Sequence, residues 1–167
     1  MALAFDAVSS EESASAASHT LSHTITGSDT ILCVTIAYVA STVTINSVTF
    51  NGVGLTQGVA LSHSDGYKAE IWYIASPATG THDIVVNLSG NSSCVYGGIS
   101  LTGSSGATGA TATNTNGQGT SVSQAITIQT ANSWIVACAS STSGGSAPSS
   151  FTTGTERWEV AAFGGTS

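Results

Sequence analysis

Residues 19 to 23 read HTLSH, which sets His19 and His23 four positions apart in a chain with four histidines and only two basic side chains, Lys68 and Arg157. Two imidazoles at that spacing suggest a shared metal ion or a proton-transfer pair. Geometry decides against the metal. Thr20, Thr24, Ile25 and Thr26 surround the pair with β-branched residues, which disfavour a helix. On a strand, residues i and i+4 share a face but stand about 13 Å apart. A metal with ligand distances of about 2 Å does not bridge that span. His19 and His23 instead align with Leu21 and Ile25 on one face. They read as wall residues, each with one ring nitrogen hydrogen-bonded.

Other chemistry is equally sparse. A hydrolase relay needs a nucleophile, a histidine and an acid brought together. Serines abound, but no G-x-S-x-G elbow is present, and a reactive thiolate needs nearby cations that the chain lacks. Glu70, Glu156 and Glu159 are the carboxylates available for a glycosidase-type pair. Glu11 and Glu12, adjacent in a Ser-rich stretch, read as solvated. Asp29 and Asp65 read as turn residues. No D-x-D-x-D-G calcium loop occurs. The expectation is no catalytic residue, no cofactor and no metal. Among the aromatics, Trp72 and Trp134 lie in apolar runs and read as core. Tyr67, beside a turn, Trp158, between Arg157 and Glu159, and Phe163 are the candidate interface or ligand contacts.

Composition narrows the partners. Nine acids against two cations give a formal charge of −7, so no basic patch for nucleic acid or anionic membrane can be assembled. Charged residues are 7% of the chain while 41% is hydrophobic, so Ser, Thr, Asn and Gly must supply the soluble surface. Such a neutral surface suits a protein outside the cytoplasm or inside a dense assembly. The opening MALAFDAVSSEE lacks the basic and apolar regions of a secretory signal. The longest apolar run, residues 31–40, is far short of the roughly 20 residues of a spanning helix. Cys33, Cys94 and Cys138 sit in apolar, β-branched surroundings without zinc spacing and read as small buried hydrophobes.

The elements that must position these residues alternate with period two. Leu3 and Phe5 open the pattern, and residues 19–26 continue it after a Ser/Glu/Ala-rich stretch. Residues 30–40 and 67–75 are apolar on both faces and read as central strands. Asn51-Gly52 and Asp65-Gly66 are hairpin turns. Val53, Leu55, Val59 and Leu61 alternate between them. Strands follow over 81–88, 94–101, 122–130, 133–140 and 157–163. Residues 103–119, rich in Gly, Thr, Ala and Asn, form a flexible low-complexity loop. No apolar period of 3.6 lasts long enough for a helix of about ten residues. The expectation is one all-β domain over residues 1–167: a two-sheet antiparallel β-sandwich, jelly-roll-like, with about ten strands.

The succession LSHTITGSDTILCVTIAY, VTINSVTFNGVGLT, AEIWYIASPATGTHDIVVNLSG and GGISLTG resembles a broad group of β-sandwich domains. That group is common in phage structural proteins and in bacterial surface or secreted proteins. The resemblance covers most of residues 3–103 and the later ANSWIVACAS. Its most specific marks are Trp72-Tyr73 followed by Pro77 and GTHDIVV. His23 falls where many such domains carry a histidine beside a threonine. The resemblance implies a jelly-roll-like sandwich used for structure or adhesion, without a shared catalytic site. Members usually continue beyond the segment matching AAFGG to a last apolar strand. Here the sequence ends at Ser167, which implies a trimmed chain, a short final strand or a strand supplied by a neighbour.

These readings lead to a non-enzymatic virion structural protein, assembled in a host cytoplasm. Its role would be phage capsid decoration or cementing, or a part of a fibre or tail. Its partners would be copies of itself and major capsid or other virion proteins. The first alternative is a bacterial or archaeal extracellular adhesin or filament subunit. The second is a carbohydrate-binding module that contacts a surface glycan.

Overall fold

The computed structural model describes residues 3–39, 42–64, 66–114, 123–128, 131 and 133–138. Its strands are β1 (Ala4–Ile25), β2 (Ile31–Val39), β3 (Ile45–Phe50), β4 (Val53–Gly54), β5 (Thr56–Ser62), β6 (Tyr67–Ala75) and β7 (Gly80–Thr102). All pair antiparallel. No helix occurs among the described residues.

β1 and β7 form a ribbon of two long strands, paired from Ala4↔Thr102 to Ile25↔Gly80. On the other edge of β7, β3 takes residues 84–88 and β2 takes residues 94–101. β4 extends the β3 side, and β6 then β5 extend the β2 side. The strands at the two ends of this order, β4 and β5, are consecutive in the chain and separated by Leu55 alone. One residue cannot cross a flat sheet of this width. The sheet is therefore rolled, nearly closed like a barrel, with Leu55 buried where its two ends approach.

The concave face is apolar. Leu32, Val34, Ile36 and Tyr38 of β2, Val48 and Phe50 of β3, and Ile84, Val86 and Leu88 of β7 form the main core with Ile25 and Tyr96. Strand geometry sends alternate residues to opposite faces. The other face of β2 and β7 accordingly carries a second cluster, Ile31, Cys33, Ile99 and Leu101, packed by Leu3, Phe5, Tyr73 and Val136. This double burial is why β2 reads apolar on both faces.

Among the described residues seven strands form one sheet, against an expectation of about ten strands in two sheets for the whole chain. Two pairs of expected strands are fused. Residues 9–18 continue β1 with side chains half-buried or exposed on both faces, so no apolar alternation marks them. β7 runs on through Ser89–Ser93, whose small polar residues read as a break. The single strand expected over 53–61 divides at Leu55. Residues 123–128 and 133–138 take no strand form, and the expected strand over 157–163 lies outside the described residues. Residues 107–114, the described end of the expected loop, are exposed. The Asn51-Gly52 turn is present with φ of 50° and 75°, the mirror-image backbone that suits a tight hairpin.

Candidate functional site

Three polar groupings interrupt the apolar interior or its rim. The deepest centres on His23, which is 2% exposed. Ser9 Oγ lies 2.8 Å from His23 Nδ1, and Ser100 Oγ lies 3.1 Å from His23 Nε2. Ser100 Oγ donates to Asp6 Oδ2 at 2.7 Å, and Thr26 Oγ1 donates to Asp6 Oδ1. The backbone N–H of Thr26 also reaches the Asp6 carboxylate at 3.3 Å.

Proton counting fixes the direction of this chain. An ionised carboxylate only accepts, so Ser100 spends its one proton on Asp6. Ser100 must then accept from His23, which places the ring proton on Nε2. In the neutral ring Nδ1 is left as an acceptor, and Ser9 donates to it. The order is Ser9, His23, Ser100, Asp6.

Burial holds His23 below its ordinary value of 6.5, against the opposing pull of the Asp6 charge. Burial raises Asp6, but the hydrogen bonds from Thr26, Ser100 and Gly27 together outweigh it and hold the carboxyl below 3.8.

The sequence resembles a hydrolase relay with a serine inserted between histidine and acid. The packing does not. Gly98 pairs with Ser9 across the ribbon. A methyl group there would sit 2.6 Å from Ile84 Cδ1 and 3.4 Å from both His23 Nδ1 and Leu32 Cδ1. Side chains already fill the volume beside the relay. This arrangement suits holding strands together rather than admitting an acyl group.

His19, the partner in the HTLSH pair, is also 2% exposed, but both its ring nitrogens lack a hydrogen-bond partner. Its ring tilts against Tyr96 at 5.8 Å. The expectation of one bonded nitrogen on each histidine thus fails in both directions: His23 has two and His19 none. Alternation places both rings inside, but only the rolling of β1 decides which one meets polar groups.

The second grouping surrounds Glu70, a buried carboxylate. Tyr38 Oη donates to Oε1 at 2.8 Å, while Gln57 Nε2 and Trp72 Nε1 donate to Oε2 at 2.7 and 2.9 Å. Burial, followed by the Glu70 hydrogen bond and charge, pushes the Tyr38 phenol well above its usual range. Glu70 is held by donors, and the other two carboxylates considered for a glycosidase-type pair, Glu156 and Glu159, lie outside the described residues. Sequence reasoning missed this hub because Gln57 is far from Glu70 in the chain. The register Gln57↔Trp72 and Ala60↔Glu70 brings them together.

The third is a shallow cleft of about 410 Å³ lined by Thr49, Asn51, Gly52, Thr81, His82, Asp83 and Val85. His82 Nε2 donates to the Thr79 carbonyl at 3.0 Å. The His82 ring stands edge-on to Phe50 at 5.6 Å, and His23 does so from the other direction at 6.3 Å.

Tyr67, the candidate contact beside a turn, begins β6 half-buried opposite Val39. Trp158 and Phe163 lie outside the described residues. Trp72 is half-buried against the core. Trp134 departs from its expected core position and is 37% exposed, because its segment joins no strand. Cys33 and Cys94 are buried as expected. Burial pushes their thiols up to about 11 and about 12. No cluster of three metal-ligating side chains occurs among the described residues.

No protein-family model, curated protein or solved structure matches this chain.

Proposed function

We propose that this chain is a non-enzymatic virion structural protein, a phage capsid decoration or cement protein or a fibre or tail component. One observation carries the reading furthest. β1 is a 22-residue strand, and among the described residues only β7 pairs with it. An unpaired strand edge offers backbone donors and acceptors to a neighbouring chain. Its middle carries Ser, Ala and two Glu residues rather than large apolar groups, which favours regulated contacts over indiscriminate aggregation. In this reading the rolled sheet works as two facing layers of a jelly-roll-like sandwich. β2, β6 and β5 continue one half of the ribbon, and β3 and β4 continue the other. Symmetric repetition of one edge contact suits assembly with copies of itself or with a major capsid protein.

The test is sedimentation of the purified full chain, alone and mixed with intact phage particles from its source. Stable oligomers, or co-sedimentation with particles, support the reading. A monodisperse monomer that binds no particle overturns it. The polar cleft at Thr49, Asn51, Thr81 and Asp83 favours a second reading, contact with a surface glycan through hydroxyl, amide and carboxylate groups. A glycan array without any bound sugar removes that reading.

A further inference from the structure

We propose that the relay from Ser9 through His23 and Ser100 to Asp6 and Thr26 is an acid-operated latch. It ties the first half of β1 to its second half, and protonation of His23 releases the first half while the rest of the sheet stays formed.

The geometry supports this in three steps. First, the latch joins distant parts of one strand. Ser9 and Asp6 belong to the beginning of β1, whereas His23 lies near its end and Thr26 just beyond it. Second, the first half of β1 has little else to hold it. None of residues 4–13 is buried, while His19, His23 and Ile25 of the second half are. Its anchors are pairing with β7, contacts of Leu3 and Phe5, the hydrogen bond from Tyr96 to Glu11, and this relay. A segment with few buried contacts opens at lower cost than the core. Third, protonation disrupts the order of donors. Nδ1 becomes a donor, so Ser9 must reverse its hydroxyl, and a cation then sits in an interior site.

The neighbours of His23 are few. On β1 the titratable group is Asp6, at the far end of the relay. On β7 it is His82, directly opposite His23, with its Nε2–H committed to the Thr79 carbonyl. β3 presents Phe50 and β2 presents Leu32, neither of which titrates. Further along the concave face, Tyr96 donates to Glu11 at 3.4 Å. The sign follows from the depressed histidine. The unfolded ring protonates near 6.5 and the folded ring at lower pH. The contribution of the neutral relay is therefore complete above that pH. It is lost as pH falls through the folded value.

Hydrogen exchange of the full chain at pH 7.5 and pH 5.0, corrected for the intrinsic rate, tests the latch. The expected result is a loss of protection at pH 5.0 in residues 4–13, with residues 31–39 unchanged. The variant His23→Gln keeps an acceptor for Ser9 and a donor for Ser100 but does not titrate. In it, protection of residues 4–13 should be the same at both pH values. Unchanged protection in the wild type, an equal loss in His23→Gln, or a loss extending to residues 31–39 overturns the proposal. Should His23→Gln not fold, imidazole 15N spectra of the wild type decide. The exposure of residues 4–13 must follow the titration of His23, starting from its Nε2–H form. If it follows His82, the proposal fails.

Discussion

Ser9 and His23 lie on the same strand, fourteen residues apart, yet Ser9 Oγ is 2.8 Å from His23 Nδ1. A straight strand would separate them by about 46 Å. β1 therefore folds back across the interior, and two of its register shifts fall in this stretch, between Ser13 and Ala16 and between Ala16 and Ser18. Such bulges bend a strand without ending it. The polar chain across the fold is what the bend brings together.

The two histidines of HTLSH should answer oppositely to removal. His23→Leu leaves Ser9 and Ser100 without their ring partner and should cost about 2–4 kcal/mol, since several partners in one network are lost together. His19→Leu removes a ring whose nitrogens have no partner and should be neutral or stabilising, by up to about 1–2 kcal/mol. Urea denaturation at pH 7.5 measures both. A destabilised His19→Leu of the same size as His23→Leu would refute the distinction.

Gly98 is required for its missing side chain. In Gly98→Ala the new methyl group meets Ile84 Cδ1 at 2.6 Å. Overpacking of this kind costs about 1–3 kcal/mol. Ile84→Val deletes the colliding methyl, so the double variant should recover part of that loss. A double-mutant cycle by chemical denaturation should show favourable coupling, and strict additivity would argue against the contact.

Glu70→Gln tests the carboxylate hub. Three donors converge on Glu70, and a carboxamide offers one acceptor oxygen with its NH2 facing donors. The variant should lose about 2–3 kcal/mol, as expected when a charged acceptor in a buried network is replaced. The Trp72 indole, which donates to Oε2, should change its fluorescence in the folded state. An unchanged spectrum with unchanged stability would mean that the hub is not formed.

The fold class was legible because alternation survives wherever one face is buried. Leu32, Val34, Ile36 and Tyr38 announce β2, and Asn51-Gly52 announces the hairpin of β3 and β4. The strand count was not. No side chain of residues 9–18 of β1 is buried on either face, so nothing selects apolar side chains there, and the sequence is silent about the link between two halves of one strand. The division at Leu55 escapes for a different reason. Leu55 keeps the alternation while its neighbours Gly54 and Thr56 pair with opposite ends of the sheet. For the site, His23 was legible as an inward residue. Its partners Ser9 and Ser100, the latter 77 residues away, are two serines among many and carry no local mark.

Thiol reactivity offers a check on burial that is independent of stability. Burial pushes Cys33 up to about 11 and Cys94 up to about 12. At pH 8 both are thiols rather than the reactive thiolate, and both are shielded from reagent. Burial pushes Cys138 up to about 12 as well, so in native protein a disulfide reagent at pH 8 should label none of the three cysteines quickly. All three should react quickly in denaturant. Fast labelling of Cys33 would mean that the cluster of Ile31, Ile99 and Leu101 does not cover it. Fast labelling of Cys94 would place the opening on the concave face, beside Tyr38.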